Sequence, residues 1–127
     1  APALTDPQVA IERTLAALER ELRADALVVL RNGAPVFARG VVPGSSVEAV
    51  AAILRRWAEA ATDLAALVGE SNGRFVQFHA EGERYHVYAF DTGKGLMLVV
   101  ICRTDVPFGT LRLTLKTAGA ELAKLMG

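Results

Sequence analysis

The histidines His79 and His86 are the residues of this chain whose side chains could bind a metal ion or act as a general base. They lie on adjacent predicted strands joined by Glu81-Gly82-Glu83. If Ala80 pairs with Arg84, the two rings point to opposite faces of the sheet, whereas a register shifted by one residue places them side by side. A metal-binding pair would still lack a clear third ligand. We therefore expect two structural histidines and no metal site, and the register stays open.

The other residues with chemical potential are better explained as structural. Cys102 ends an apolar strand, which is typical of a small buried hydrophobic side chain. The segment Gly93-Lys94-Gly95 lacks the length and the following helix of a nucleotide-binding loop, so it is predicted to be a hairpin turn. Arg55 and Arg56 are interpreted as a solvated pair. Since no spacing marks a nucleophile with its base, we expect a protein that is not an enzyme and needs no cofactor.

Length and composition restrict the class of protein further. The chain has 127 residues, of which 52% are hydrophobic, so one domain spanning residues 1–127 with an irregular segment at 1–5 is expected. Fourteen basic and fourteen acidic residues cancel, which disfavours a nucleic-acid partner. The longest apolar run, Gly95–Cys102, is shorter than the roughly 20 residues that cross a bilayer. The N-terminal segment lacks the features of a signal peptide, so a cytoplasmic protein without membrane insertion is expected.

Local signals predict where the helices and hairpins begin and end. Asp6 followed by Pro7 favours a helix start, because proline at the first helical position leaves no N–H unpaired. Asn32-Gly33 is typical of a tight hairpin turn. Ser45 and Glu48 fit a capping box for the second helix, and Gly69 is placed to end that helix.

These signals give the element order α-ββ-α-βββ-α and an α/β fold class. The short links between strands predict a single-domain sandwich with a five-stranded, largely antiparallel sheet and helices on both faces. Pro35 at the start of the second strand suits an edge position. The predicted segments are a helix from Thr5-Asp6-Pro7, strands Ala26–Leu30 and Val36–Val42, a turn at Pro43-Gly44-Ser45, a helix over Ser46–Val68, strands Arg74–Ala80, Arg84–Asp91 and Leu96–Cys102, and a helix carrying Leu111, Leu115, Ala118, Leu122 and Leu125.

The middle helix has an apolar arc of roughly 200°, about twice the width that a helix lying on a sheet needs. One interpretation is a helix wedged more deeply between the sheet and a loop. The other interpretation is that a partner outside the monomer covers part of the arc. Ala51, Ala58 and Ala65 recur at heptad spacing and would allow two helices to approach closely. A wide apolar patch is rarely left bare on a soluble monomer, so we expect self-association through this helix.

The order of elements and three segments resemble the Roadblock / dynein light chain family, and in particular its bacterial MglB-type members. The resemblance covers nearly the whole chain from about Asp6 onward, and Gly109 and Arg112 belong to its last segment. The segments are ALVVLRNGAPVFARG, AVAAILRRWAEAATDLAALVGE and LMLVVICRTDVPFGTLRLTLKTAGAELAKL.

The resemblance implies a non-enzymatic homodimer in which the long helices pack together and the third strands join the two sheets. It also implies a small Ras-like GTPase as partner. MglB-type dimers stimulate GTP hydrolysis by such a GTPase, and they do so by repositioning the GTPase's own residues. On this chain it implies Arg74–Ala80 as the pairing strand. The implied dimer interface consists of Val50, Leu54, Trp57, Ala58, Ala61, Ala65, Phe75 and Gln77.

Three functions remain open from the sequence. The leading hypothesis is a homodimeric regulator or scaffold for a small Ras-like GTPase. The alternative is a small-molecule sensory domain of profilin-, PAS- or GAF-like architecture, which would need a cavity with convergent polar groups. The third is a hydrolase with scattered catalytic residues, which is disfavoured because neither histidine has an evident catalytic partner. Whether Trp57 faces the sheet or the dimer seam depends on the rotation of the middle helix, which periodicity does not fix.

Overall fold

The computed structural model describes residues 6–40 and 44–127. The predicted irregular segment 1–5 and the positions Val41, Val42 and Pro43 lie outside the described residues. The elements in chain order are α1 (Pro7–Leu22), β1 (Ala26–Arg31), β2 (Ala34–Gly40), α2 (Val47–Val68), a short 3-10 turn (Ser71–Gly73), β3 (Gln77–Glu81), β4 (Tyr85–Asp91), β5 (Leu96–Arg103) and α3 (Phe108–Met126).

The strands form a five-stranded sheet in the order β2-β1-β5-β4-β3, and every neighbouring pair is antiparallel. The predicted α/β sandwich is therefore confirmed. Strands β2 and β3 are the edges, so Pro35 does lie on an edge strand as predicted. Strand β5 lies at the centre, which accounts for its nearly uninterrupted apolar sequence.

The core has two layers because residues of β1 and β5 alternate between the faces of the sheet. One layer lies under α1 and α3 and includes Leu15, Leu98 and Leu115. The other lies under α2 and is smaller, with Val28, Leu30, Ala51, Leu54, Ala89 and Val99 at its centre. Helices thus cover both faces, and among the described elements α2 is the helix that covers the second one.

The helix ends follow the predicted chemistry with one correction. The Asp6 carboxylate accepts a hydrogen bond from the Gln8 N–H at 3.0 Å, directly before Pro7. Gly69 ends α2 in the left-handed conformation with φ 75°, as predicted. The cap of α2 is Ser46 rather than Ser45, because the Ser46 hydroxyl accepts from the Ala49 N–H at 3.1 Å.

Two strands start more than one residue away from their predicted first residues. The third strand begins at Gln77 instead of Arg74, and the Arg74 guanidinium forms an ion pair with Asp91 at 3.5 Å. The return strand β2 begins earlier than expected, at Ala34, because Asn32 and Gly33 alone make the turn with positive φ angles of 51° and 85°.

Candidate functional site

The inward side of α2 packs on its own sheet. Ala51, Leu54 and Ala65 are buried, and Leu54 is only 5% exposed. The heptad of small residues therefore contains two alanines inside the protomer, where small side chains let the helix approach the structure beneath it. Leu54 and Ala65, which the sequence placed on the dimer seam, are covered by the rest of the protomer, and their contact with a second copy stays a prediction.

A second apolar side of α2 lies exposed next to the buried one. Ile53 is 57% exposed, Leu67 is 82% exposed, and Leu64 and Val68 are exposed as well. At about 100° per residue these four side chains share one side of the helix. We call this set, Ile53, Leu64, Leu67 and Val68, the exposed flank of α2. It accounts for the excess width of the apolar arc.

Trp57 marks where the exposed flank meets the sheet. Its ring packs edge-on against the Phe78 ring of β3, with 4.7 Å between the centroids. The orientation that the sequence left open is thereby settled: Trp57 faces the sheet at its β3 edge and is half-buried. The exposed flank and the β3 edge consequently lie on the same side of the molecule, where Val76 is also exposed.

The remaining predicted interface residues lie between core and surface. Val50, Ala58 and Ala61 of α2 are half-buried, as is Phe75 before β3. Gln77 is half-buried on the opposite face of the sheet, where its side-chain oxygen accepts a hydrogen bond from the Tyr88 hydroxyl. Their contact with a second copy stays a prediction.

The two histidines lie side by side on β3 and β4. The pairing is His79 with Tyr88 and Glu81 with His86, which is the register shifted by an odd number of residues from the Ala80–Arg84 pairing. Of the two arrangements that the sequence left open, the structure thus has the one with the rings side by side. Nε2 of His79 is 2.8 Å from Nδ1 of His86, and both rings face the layer of α1 and α3.

The same register brings Glu81 to the histidines. Its Oε1 is 3.4 Å from Nδ1 of His86, and ligand atoms of the three residues all lie within 4.8 Å of one another. A third potential ligand, which the sequence seemed to lack, is thus present. The alternation of His79 and Glu81 on one strand was a usable signal, but it needed the register of β4.

The environment of the cluster changes the ionisation of His79. Burial lowers the pKa of His79 below its usual value, and the neighbouring His86 lowers that pKa further. The Glu81 carboxylate opposes both effects. Burial also raises the pKa of the Tyr88 hydroxyl, which donates to Gln77 nearby.

A cleft of about 410 Å³ opens on the other side of α2, away from the exposed flank. It lies between the helix and the turns of two hairpins, and the Arg55 guanidinium reaches across to the Gly33 carbonyl at 3.3 Å. Its lining is more polar than the aliphatic interior that the sequence suggested, and includes Asn32, Arg55, Glu59, Thr62, Asp63 and Asp91.

No family model and no curated protein matches the sequence. Solved structures do match: an MglB with tetrameric arrangement aligns at TM-score 0.82 and 25% identity, over 94% of this chain and 89% of that chain. MglB of Myxococcus xanthus aligns at TM-score 0.83 and 24% identity, over 92% and 94% of the two chains. A Roadblock/LC7 domain from Streptomyces avermitilis aligns at TM-score 0.67 and 16% identity, over 87% and 92%.

The chain therefore has a Roadblock-type fold. Within that type the alignments to the two MglB structures extend over nearly the whole of both chains, so the fold is MglB-like. This confirms the resemblance drawn from the sequence at the level of the fold. Within the described ranges, no helix is both long enough and apolar enough to span a membrane.

Proposed function

We propose that this protein is a non-enzymatic, homodimeric regulator or scaffold that binds a small Ras-like GTPase. The observation that carries the proposal is the exposed flank of α2, which adjoins the β3 edge of the sheet. The MglB-like fold supports the self-association in this proposal, since one of the similar structures is described as an MglB with tetrameric arrangement.

In a monomer the aliphatic side chains of the exposed flank would all be in contact with water, which is energetically unfavourable. Four exposed aliphatic side chains on one side of a helix give that side an apolar surface, and exposed apolar surfaces of this kind usually mark interaction sites. A second copy offers the same patch, and a twofold axis brings like surfaces together. Two exposed flanks packed against each other would remove the aliphatic side chains of both copies from water.

The adjoining edge strand gives the same dimer a second point of contact. In the described chain β3 has a strand neighbour on one side alone, β4. The outer side of β3 therefore presents unpaired N–H and C=O groups. A second β3 running antiparallel would pair those groups and continue the sheet, with Phe75 and Gln77 in or beside the joined strands.

The test of the dimer is solution mass by light scattering on the eluting protein. We expect a wild-type dimer at micromolar concentration and a monomer for Leu67→Glu, because a charge would enter the apolar seam. Leu67 is 82% exposed in the protomer, so this change should leave the fold and its circular dichroism intact. Ala66→Glu is the matched control, since Ala66 is exposed outside the exposed flank and its variant should remain dimeric. A monomeric wild type, or equal effects of the two variants, would contradict the dimer.

Binding of the GTPase is tested separately, with purified Ras-like GTPases of the source cell loaded with GDP or a non-hydrolysable GTP analogue. We expect capture in one nucleotide state, and no GTP turnover by this protein alone. The rate of GTP hydrolysis by the captured GTPase, with and without this protein, separates a stimulator from a scaffold. Equal binding of both nucleotide states, or none, would contradict a regulatory partner of this class.

The cleft beside Arg55 favours one alternative function, a small-molecule sensory domain. Its volume of about 410 Å³ suits a small ligand, and it has several convergent polar side chains. A thermal-shift screen with nucleotides and acidic or basic metabolites tests this. A dose-dependent rise in the unfolding temperature that Asp63→Asn abolishes would favour the sensor over the GTPase regulator.

A further inference from the structure

The cluster of His79, Glu81 and His86 plays no part in the proposed function and lies on the other face of the sheet from α2. His79 and Glu81 are alternate residues of the edge strand, so their side chains share one face. His86 faces them from β4 and is 2% exposed. Three groups that commonly bind transition metals thus converge at one point.

The hydrogen bond to His86 determines which of its nitrogens is free. Nε2 of His86 is 3.0 Å from the Val106 carbonyl oxygen, which can only accept, so Nε2 carries the proton. In the neutral ring Nδ1 is then unprotonated and its lone pair is directed into the cluster. This is how protein metal sites orient their histidine ligands: the second nitrogen donates to a backbone carbonyl or a carboxylate.

That arrangement leaves more acceptors than protons in the cluster. The lone pair of His86 Nδ1 and the Glu81 Oε1 face each other at 3.4 Å, and neither supplies a proton. The remaining neighbour, Nε2 of His79, can supply a single hydrogen, to His86 at 2.8 Å. A cation placed between the three atoms would satisfy all of them.

Two of the three ligand-atom separations lie close to those of a zinc site, and the third, between Glu81 and His79, is no more than 4.8 Å. Two ligands at about 2.0–2.1 Å from tetrahedral zinc lie about 3.3–3.4 Å apart. The separation of Glu81 Oε1 from His86 Nδ1, 3.4 Å, already has this value. The two ring nitrogens, at 2.8 Å, must move apart by about 0.5 Å to reach it. His79 is half-buried on an edge strand, and a shift of this size in its ring would complete the spacing.

The surroundings hold the ligands in place on one side and leave the site open on the other. Phe108, at the start of α3, stacks on the His79 ring with 4.4 Å between centroids and 17° between planes. Glu81, by contrast, is an exposed residue near the hairpin turn. Three protein ligands therefore leave a fourth position that water can reach, which is the pattern of a zinc site with an open coordination position.

We propose that His79, Glu81 and His86 form a binding site for a divalent late transition-metal ion, with zinc as the best match to two imidazoles and one carboxylate. Such an ion would bridge β3 and β4 and, through His86 and the Val106 carbonyl, hold the hairpin against the loop that precedes α3. The inference is independent of the GTPase proposal, because its test needs no partner protein.

The test uses the untagged full chain, freed of metal by a chelator and then titrated calorimetrically with Zn²⁺. We expect one Zn²⁺ per chain and a rise in the unfolding temperature with added Zn²⁺. Co²⁺ in place of Zn²⁺ should give the strong visible absorption of a four-coordinate ion. No cobalt–thiolate band is expected, because the site contains no cysteine.

Two variants and a matched control identify the ligands. Glu81→Gln removes the carboxylate charge at an exposed position and should weaken Zn²⁺ binding by at least roughly tenfold. His79→Gln should abolish the cobalt spectrum. Glu83→Gln, two residues further along the same hairpin and also exposed, should bind like the wild type.

Equal Zn²⁺ affinity for the wild type and His79→Gln would overturn the proposal, as would equal losses for Glu81→Gln and Glu83→Gln. Absence of any Zn²⁺-dependent heat or thermal shift in the wild type would overturn it too. The cluster would then be a hydrogen-bonded histidine pair beside a carboxylate.

Discussion

The thiol of Cys102 lies fully buried on the face of the sheet covered by α1 and α3. Its pKa is raised to about 11, mainly by burial and further by the carboxylates of Asp25 and Asp105. Thiolate is the reactive form of cysteine, so this residue is chemically inert in the folded protein. The sequence predicted this role from the apolar strand that Cys102 ends.

The raised pKa makes stability depend on pH in the alkaline range. An unfolded thiol, with its pKa at 9.0, loses its proton before the folded thiol does at about 11. The contribution of Cys102 is thus complete below about pH 9 and is lost as the pH rises through about 11. Urea unfolding of the wild type and Cys102→Ala checks this. We expect the difference in unfolding free energy between them to fall from about pH 8 to about pH 10.5, and a constant difference would contradict it.

At the scale of one helix, Gly119 sets how closely α3 can lie against β4. A Cβ atom built at Gly119 would approach the Phe90 ring to 2.7 Å, closer than carbon atoms come without contact strain. Gly109, in the first turn of the same helix, has open space at the corresponding position. Gly119 is therefore needed for close packing of α3 on β4, whereas Gly109 is not.

We expect opposite effects from the same substitution at these two positions. Gly119→Ala should lower the free energy of unfolding by about 1–3 kcal/mol, because overpacking against Phe90 exceeds the gain in helix propensity. Gly109→Ala should leave stability unchanged or raise it by up to about 1 kcal/mol. Thermal or urea unfolding of both variants measures this, and a stabilised Gly119→Ala protein would show that α3 can move away from the sheet.

Elements were predictable from local signals, whereas their rotations and registers were not. Pro7, Asn32-Gly33 and Gly69 act through their own backbones, so the sequence alone located the ends they make. Ser45 and Ser46 are chemically the same cap, and a single hydrogen bond to Ala49 decides between them.

The candidate site depended on longer-range packing. The sequence contains two apolar sides of α2 that adjoin each other, and contact with the sheet decides that Leu54 is inside and Leu67 outside. The β3–β4 register is likewise fixed by pairing across the sheet, since the turn between the strands allows more than one alignment. The cluster of His79, Glu81 and His86 follows from that register and was missed for this reason.

At the scale of the whole molecule, the proposed dimer should make apparent stability depend on protein concentration. Folding and association are coupled when the exposed flank of α2 is buried only in the dimer. We expect the midpoint of thermal unfolding to rise as wild-type concentration rises from about 1 μM to about 100 μM. Leu67→Glu should show a lower midpoint that does not change with concentration. A concentration-independent wild type would indicate that the protomer is stable alone.

The far edge of the sheet has a consequence for the size of any assembly built by strand addition. Strand β2 begins at Ala34-Pro35, and the pairing of β1 with β2 is interrupted by a register irregularity between Val29 and Leu30. Proline has no N–H to offer an incoming strand, and an irregular edge is a poor template for one. Two sheets joined through β3 would thus have β2 at each outer edge, where a further strand pairs poorly. If β3 is the single extendable edge among the described strands, the proposed assembly would be complete after one addition, and growth by strand addition would end with a closed pair instead of a fibre.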